Sequence, residues 1–89
     1  MTQAKIVLYQ RVALTRDLPE HNLCKGDVAV VIEYLLGTAA SGGEDGYALE
    51  VFNAVGETIA VVTVPVSAVK SVTENDILQA RPHSVTEQR

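Results

Sequence analysis

The stretch YALEVFNAVGETIAVVTVPVSAVKSV, residues 47–72, decides the predicted fold. In YALEVFN, Tyr47, Leu49 and Val51 occupy alternate positions, as expected for a strand with one buried face. The short AVGE segment then supplies a glycine turn, and the β-branched residues of TIAVVTV favour a second strand. Residues 47–64 therefore predict a tight β-hairpin.

The end of the same stretch predicts how the sheet is completed. Pro65 lacks a backbone donor and is expected to close the strand before it. The SAV segment that follows is typical of one tight helical turn, and VKSV is typical of a short last strand. This order favours an SH3-like barrel. An OB-fold is the main alternative, but NAVGE leaves no room for the helix that this fold carries between strands three and four.

Two further strands are predicted nearer the N-terminus. LYQRVAL alternates with Leu8, Val12 and Leu14 on one face, and VAVVIEY places every second residue on one face: Val28, Val30, Ile32 and Tyr34. LGTAASGGEDG is rich in glycine and small polar residues and predicts a mobile hairpin tip. Residues 1–72 are thus predicted to form an all-β, five-stranded, partly open SH3-like barrel.

Residues 73–89 are predicted to be a short helix followed by a flexible tail. Thr73 is a candidate cap, and Glu74 and Asp76 fall in the first turn, where they suit the helix dipole. Arg81 and Pro82 end this pattern. Because two helical turns are marginal in water, the segment is expected to pack on the barrel, to meet another chain or to fray. Residues 81–89, including a solvated His83, are expected to be disordered.

Composition limits the classes of function. The net charge is -4, and charged residues make up 20% of the 89 positions, so the chain lacks the positive surface typical of nucleic-acid binders. Cys24 is the only cysteine, which excludes an internal disulfide and a cysteine-built zinc site. No export signal and no membrane anchor is recognisable, so a cytoplasmic protein without a membrane partner is expected.

The segment RVALTRDLPEH, residues 11–21, leads from the first strand into a long loop. Leu18 and Leu23 are expected to plug one end of the barrel, with Pro19 as a fixed bend and Asp17 capping the turn. A second interpretation, compatible with the first, makes the polar side chains of this loop a contact surface. That surface would comprise Arg16, Asp17, Glu20 and His21.

Catalysis and metal binding are weaker interpretations of the same loop. A general base needs a fixed surrounding and a water-excluding pocket, for which a chain this small has little volume. His21 with Glu20 and a distant His83 is a thin ligand set for a metal, and a buried or half-buried structural role is expected for Cys24. No catalytic, cofactor-binding or metal-ligating residue is therefore assigned.

Acidic residues are expected to gather on the hairpin side of the barrel. They are Glu44, Asp45, Glu50 and Glu57. Glu44 and Asp45 cannot supply the ligand ladder of a calcium loop. The face is either simply solvated or a docking site for a basic partner, and Glu44 and Asp45 join the loop residues as candidate partner-binding residues.

The segments VALTRDLPE, KGDVAVV and GETIAVVTV carry a resemblance over roughly residues 6–72. They resemble a family of short bacterial proteins, common in cyanobacteria and known mainly as a domain of unknown function. The resemblance implies an SH3-like barrel. It also implies a complex with the product of a neighbouring gene, of the toxin and antitoxin kind.

The first functional hypothesis is therefore a small protein-binding module that is not an enzyme and uses no cofactor. Its partner would be another protein, or a second copy that pairs through an exposed edge strand. One alternative is a nucleic-acid-binding barrel, which would need a basic stripe with stacking aromatic residues. The other is a small metal-dependent or enzymatic protein that uses loop 16–24.

Overall fold

The computed structural model describes residues 6–83, which form one antiparallel five-stranded sheet. The strands are β1 (Arg11–Leu14), β2 (Val28–Leu35), β3 (Gly46–Phe52), β4 (Thr58–Pro65) and β5 (Val69–Ser71). Their order across the sheet is β4-β3-β2-β1-β5. The all-β prediction and the count of five strands are confirmed, and so is the single helical turn before β5, a 3-10 turn at Val66–Ala68.

The core lies on one face of the sheet and is built almost entirely from aliphatic side chains. Its largest fully buried side chains come one from each of the four neighbouring strands β1 to β4: Val12, Val31, Leu49 and Val64. The predicted inward face of β3 is confirmed, since Tyr47, Leu49 and Val51 are all buried. No polar or charged side chain is buried among residues 6–83, so apolar burial is the main force holding the sheet together.

The predicted face of β2 is wrong because the strand contains a β-bulge. Val31 pairs with Leu49, but the next pair is Glu33 with Ala48, so Ile32 is the extra residue. A bulge shifts the alternation of side chains by one position. Ala29 and Val31 therefore face the core before the bulge, and Tyr34, which pairs with Tyr47, lies on the same side after it.

The first strand is shorter than predicted. Tyr9 has a φ of 67°, in the left-handed region, and this turn separates Leu8 from the strand that begins at Arg11. Val12 and Leu14 face the core as predicted, but Leu8 is exposed at the surface. Gln10 ties the turn to β5, because its side-chain amide donates to the Ser71 hydroxyl at 2.8 Å.

The two edges of the sheet are β4 and β5, and no pairing between them occurs among the described residues. The strand order is compatible with a partly open, SH3-like barrel, which stays a prediction. No helix in residues 6–83 has the length and the apolar character needed to cross a membrane.

The predicted helix after residue 73 is not present. The Asp76 carboxylate accepts the Thr73 backbone N–H at 2.7 Å, and the Asp76 N–H donates to the Thr73 carbonyl at 3.0 Å, so the chain closes a single turn. Ile77 is 88% exposed and has no apolar surface to pack against. Without such packing a two-turn helix is not stable in water, which explains the error.

The chain beyond this turn returns to the loop between β1 and β2. Arg81 donates from Nε and from Nη2 to the two carboxylate oxygens of Asp27, at 2.8 and 2.5 Å. His83 is half-buried, with Nε2 3.5 Å from the Asn22 side-chain nitrogen. Disorder of residues 81–83 stays a prediction. Its extension to residues 84–89 lies outside the described residues.

Replacing Arg81 with glutamine is expected to raise the pKa of Asp27. Burial acts to raise this pKa, but the bonds from Arg81 and the Cys24 N–H, with the charges of Arg81 and His83, outweigh it, so the pKa of Asp27 is lowered. Because the pKa of Asp27 is lower in the folded state than in the unfolded chain, the ionised carboxylate stabilises the fold at pH values above its ordinary pKa. This contribution is lost as the pH falls through the lowered pKa. The carboxyl carbon of Asp27, followed by NMR against pH, measures the change. Arg16→Gln is the matched control and should leave this titration unchanged.

Candidate protein-interaction surface

The loop between β1 and β2 is fixed by its two leucines. Leu18 and Leu23 are buried and form an isolated antiparallel bridge, with N–H to carbonyl distances of 2.9 and 3.1 Å. Pro19–His21 form a 3-10 turn between them, and Asn22 ends it with a φ of 58°. The predicted role of the leucines as plugs is confirmed. This role leaves Glu20 exposed on the outside of the turn and His21 half-exposed.

Two carboxylates of this loop bind backbone groups. Asp17 Oδ1 accepts the Lys25 N–H at 2.8 Å, and Asp27 Oδ2 accepts the Cys24 N–H at 2.8 Å. Asp17 thus caps the loop, as predicted, and its Oδ1 atom is occupied by the Lys25 N–H. The Cys24 side chain is exposed, so the expectation that it is buried or half-buried is wrong.

Asp45 holds the tip of the hairpin between β2 and β3. Its carboxylate accepts the Tyr34 hydroxyl and, at 2.7 Å, the Gly37 N–H. These bonds lower the pKa of Asp45, and the Tyr34 bond raises the pKa of Tyr34. Thr38 and Ser41 add a reciprocal cap at the tip, so the predicted mobile loop contains a defined 3-10 turn at Ala39–Ser41.

Glu44 links the hairpin tip to the loop after β1. Its carboxylate accepts the Ser67 N–H at 2.9 Å, and the Ser67 carbonyl accepts the Thr15 hydroxyl at 3.0 Å. The Ser67 bonds are the main cause that lowers the pKa of Glu44, and the charge of Arg16 adds to them. Arg16 and Glu44, which are far apart in sequence, therefore lie at the same end of the sheet.

The candidate residues thus divide by role. Asp17, Glu44 and Asp45 support backbone groups, whereas Arg16 and Glu20 project into solvent. Among residues 6–83 no three His, Cys, Asp or Glu side chains lie close enough together to hold a metal ion.

An apolar groove of about 1150 Å³ lies beside these residues. The buried side chains of its floor include Val31, Tyr47 and Val69, and its rim includes Asp45 and Lys70. The Tyr34 and Tyr47 rings lie 5.7 Å apart between centroids and are tilted by 59°. Three large apolar residues that remain exposed also line it: Val7 (58%), Leu8 (48%) and Tyr34 (48%).

The sequence interpretation missed this groove for two local reasons. Leu8 was assigned to a buried strand face, but the turn at Tyr9 carries it out of the strand. Tyr34 was assigned to the same face as Val30, but the bulge at Ile32 turns it towards Tyr47. No residue type in the β2 sequence marks the bulge, so the pattern alone gave no signal for it.

The comparisons with known proteins agree with the resemblance at the level of the family. No curated protein and no solved structure matches the chain. The family model described as "Domain of unknown function (DUF4926)" matches residues 8–71, which include all five strands and both loops of the candidate surface. The chain therefore belongs to this family, whose function is not known.

Proposed function

We propose that this chain is a protein-binding module with no catalytic role, which acts in a complex with another protein. The observation that carries the proposal is the groove in which Val7, Leu8 and Tyr34 stay exposed beside a complete core. Apolar side chains grouped on the surface of a folded domain mark sites of interaction. In the proposal, the module is an SH3-like barrel in a bacterial cytoplasm and its partner is the product of a neighbouring gene, as in toxin and antitoxin pairs.

Charge supports a protein partner over nucleic acid. Residues 28–69 contain five acidic residues and no Lys, Arg or His. Strands β2, β3 and β4, which lie within this range, therefore carry no cationic side chain. A nucleic-acid interface needs clustered positive charge to displace counterions from phosphates. Tyr34 and Tyr47 are the aromatic residues that could stack on bases, but they lie next to the negatively charged Asp45 and not beside a cation.

The test is to co-express the full chain with the product of its neighbouring gene and to determine the mass of the purified species by light scattering. The proposal predicts one species whose mass is the sum of both chains. Leu8→Ser should weaken this complex about tenfold or more, because burial of a leucine contributes about 1.5 kcal/mol or more. Ile77→Ser, at an exposed site outside the groove, is the matched control and should have no effect. Two separate species at low salt would contradict the proposal.

A further inference from the structure

The outer edge of β4 is a second surface, separate from the groove. β4 pairs with β3 through its length, from Gly46 opposite Pro65 to Phe52 opposite Thr58, and no described residue pairs with its other side. None of the residues that line the groove belongs to β4. The edge is eight residues long and has a β-bulge at Ile59; its regular part, residues 60–65, is long enough to template another strand.

The direction of the backbone groups on this edge follows from one hydrogen bond. The Val66 N–H donates to the Asp45 carbonyl at 3.0 Å, so these two residues face each other as a bonded pair. Bonded and non-bonded pairs alternate along an antiparallel ladder. Val62 and Val64 are therefore bonded to β3, whereas the N–H and carbonyl groups of Val61 and Thr63 point away from it. Pro65 occupies the next position whose backbone points away from β3. Its lack of an N–H therefore costs the sheet no hydrogen bond.

The side chains of this edge do not protect it from pairing. Natural edge strands usually carry a lysine, a central proline or an inward-pointing charge that blocks a second strand. β4 contains no charged residue, and its proline is the last residue of the strand. Val61 is 60% exposed, and Ile59 and Phe52 are partly exposed nearby. An apolar strip therefore runs beside the free backbone groups.

The charged residues of β3, β4 and the turn between them are all acidic. Glu50 lies opposite Val61 on β3, where it accepts the Thr58 hydroxyl at 2.5 Å, and Glu57 precedes β4, where it accepts the Asn53 amide at 2.8 Å. No described cation lies within ion-pair distance of either carboxylate. Two copies paired through β4 would bring these like charges together, whereas a cationic strand would be attracted.

We propose that the free edge of β4 binds an extended segment of another protein in which apolar residues alternate with lysine or arginine. The segment adds a sixth strand to the sheet by bonding to the N–H and carbonyl groups of Val61 and Thr63. Its aliphatic stems lie across Val61, and its cationic ends reach towards Glu50 and Glu57. This inference goes beyond the groove and needs no native partner for its test, so the two proposals fail separately.

The test uses the purified full chain and a capped seven-residue peptide in which valine and lysine alternate, with binding measured by titration calorimetry. One control peptide replaces every lysine with glutamate. A second keeps the lysines but carries N-methyl groups on alternate amides, so it keeps the charge and cannot complete the ladder. The proposal predicts binding of the first peptide that weakens with added salt, and no binding of either control.

Variants of the protein locate the site. Val61→Pro removes an outward N–H at an edge position where proline is tolerated, and is expected to weaken binding about tenfold or more. Val61→Thr keeps the N–H and is the matched control. Glu50→Gln is expected to weaken binding about threefold through the loss of one surface charge. Circular dichroism checks that each variant is folded. If Val61→Pro does not fold, the N-methylated peptide still decides the question.

Equal binding of the lysine and glutamate peptides would overturn the charge argument. Binding of the N-methylated peptide would overturn strand addition. Self-association of the chain that Val61→Pro abolishes would show that the edge serves a second copy, and would also overturn the proposal. Loss of peptide binding in Leu8→Ser but not in Val61→Pro would assign the peptide to the groove.

Discussion

Replacing Leu49 with alanine is expected to lower the free energy of unfolding by about 2–5 kcal/mol. Leu49 is fully buried in the middle of β3, where it pairs with Val31 on one side and Val62 on the other. Truncation removes apolar contacts with both neighbouring strands and leaves a cavity that a small sheet cannot close. A domain of this size has a total stability of about 5–15 kcal/mol, so the loss is a large fraction of it.

Urea denaturation followed by circular dichroism measures this loss. Leu49→Met nearly conserves the volume of the side chain and should cost less than about 1.5 kcal/mol. Val55→Ala, at a position that is 80% exposed in the turn between β3 and β4, should change stability by less than about 0.5 kcal/mol. A Leu49→Ala loss no larger than that of Val55→Ala would contradict the assignment of Leu49 to the centre of the core.

Replacing Gly37 with alanine is expected to destabilise the protein by about 1–3 kcal/mol, the range for overpacking. A Cβ at this position would lie 2.3 Å from the Gly43 carbonyl oxygen, closer than such atoms approach. The obstructing group is backbone, so the hairpin tip must open. Opening separates the Gly37 N–H from Asp45, and the same carboxylate also holds the Tyr34 hydroxyl at the rim of the groove.

Gly42→Ala is the matched control in the same loop. Gly42 has a φ of 76°, so alanine there is strained, but its Cβ would meet no atom within 4 Å. The cost should be about 1 kcal/mol, from the left-handed backbone alone. Thermal unfolding gives both values, and the Tyr34 ring resonances in the NMR spectrum report whether the tip has opened. Unchanged Tyr34 resonances in Gly37→Ala would show that the hydrogen bond between Asp45 and Tyr34 does not depend on the close approach of Gly37 to Gly43.

Strand number and order of elements were predictable because turn chemistry and alternation agree along most of the chain. Pro65 ends β4, Val66–Ala68 form one turn and Val69–Ser71 form the last strand, all at positions that the residue types favour. The faces of β2 were not predictable, since one extra residue at Ile32 reverses the alternation with no mark in the sequence. The short helix failed because propensity and capping cannot replace an apolar surface to pack on.

The candidate surface was predictable only in part. The sequence identifies the polar residues of both loops, but it does not distinguish a carboxylate that supports backbone from one that faces a partner. Asp45 and Asp17 accept N–H groups of Gly37 and Lys25, each eight residues distant in sequence, and such pairings depend on the folded loop. The acidic character of β2 to β4 was predictable from the sequence. The free edge of β4 could be identified only once the order of the strands in the sheet was known.

Hydrogen exchange of the β4 amides, measured by NMR with and without the valine and lysine peptide, tests the central claim most directly. In the free protein, the amides of Val62 and Val64 should be protected, and those of Val61 and Thr63 should exchange rapidly. The peptide should slow exchange at Val61 and Thr63 and leave the groove residues Leu8 and Tyr34 unchanged. If Val61 and Thr63 are already protected in the free chain, or stay unprotected with the peptide bound, β4 is not an open edge that accepts a strand.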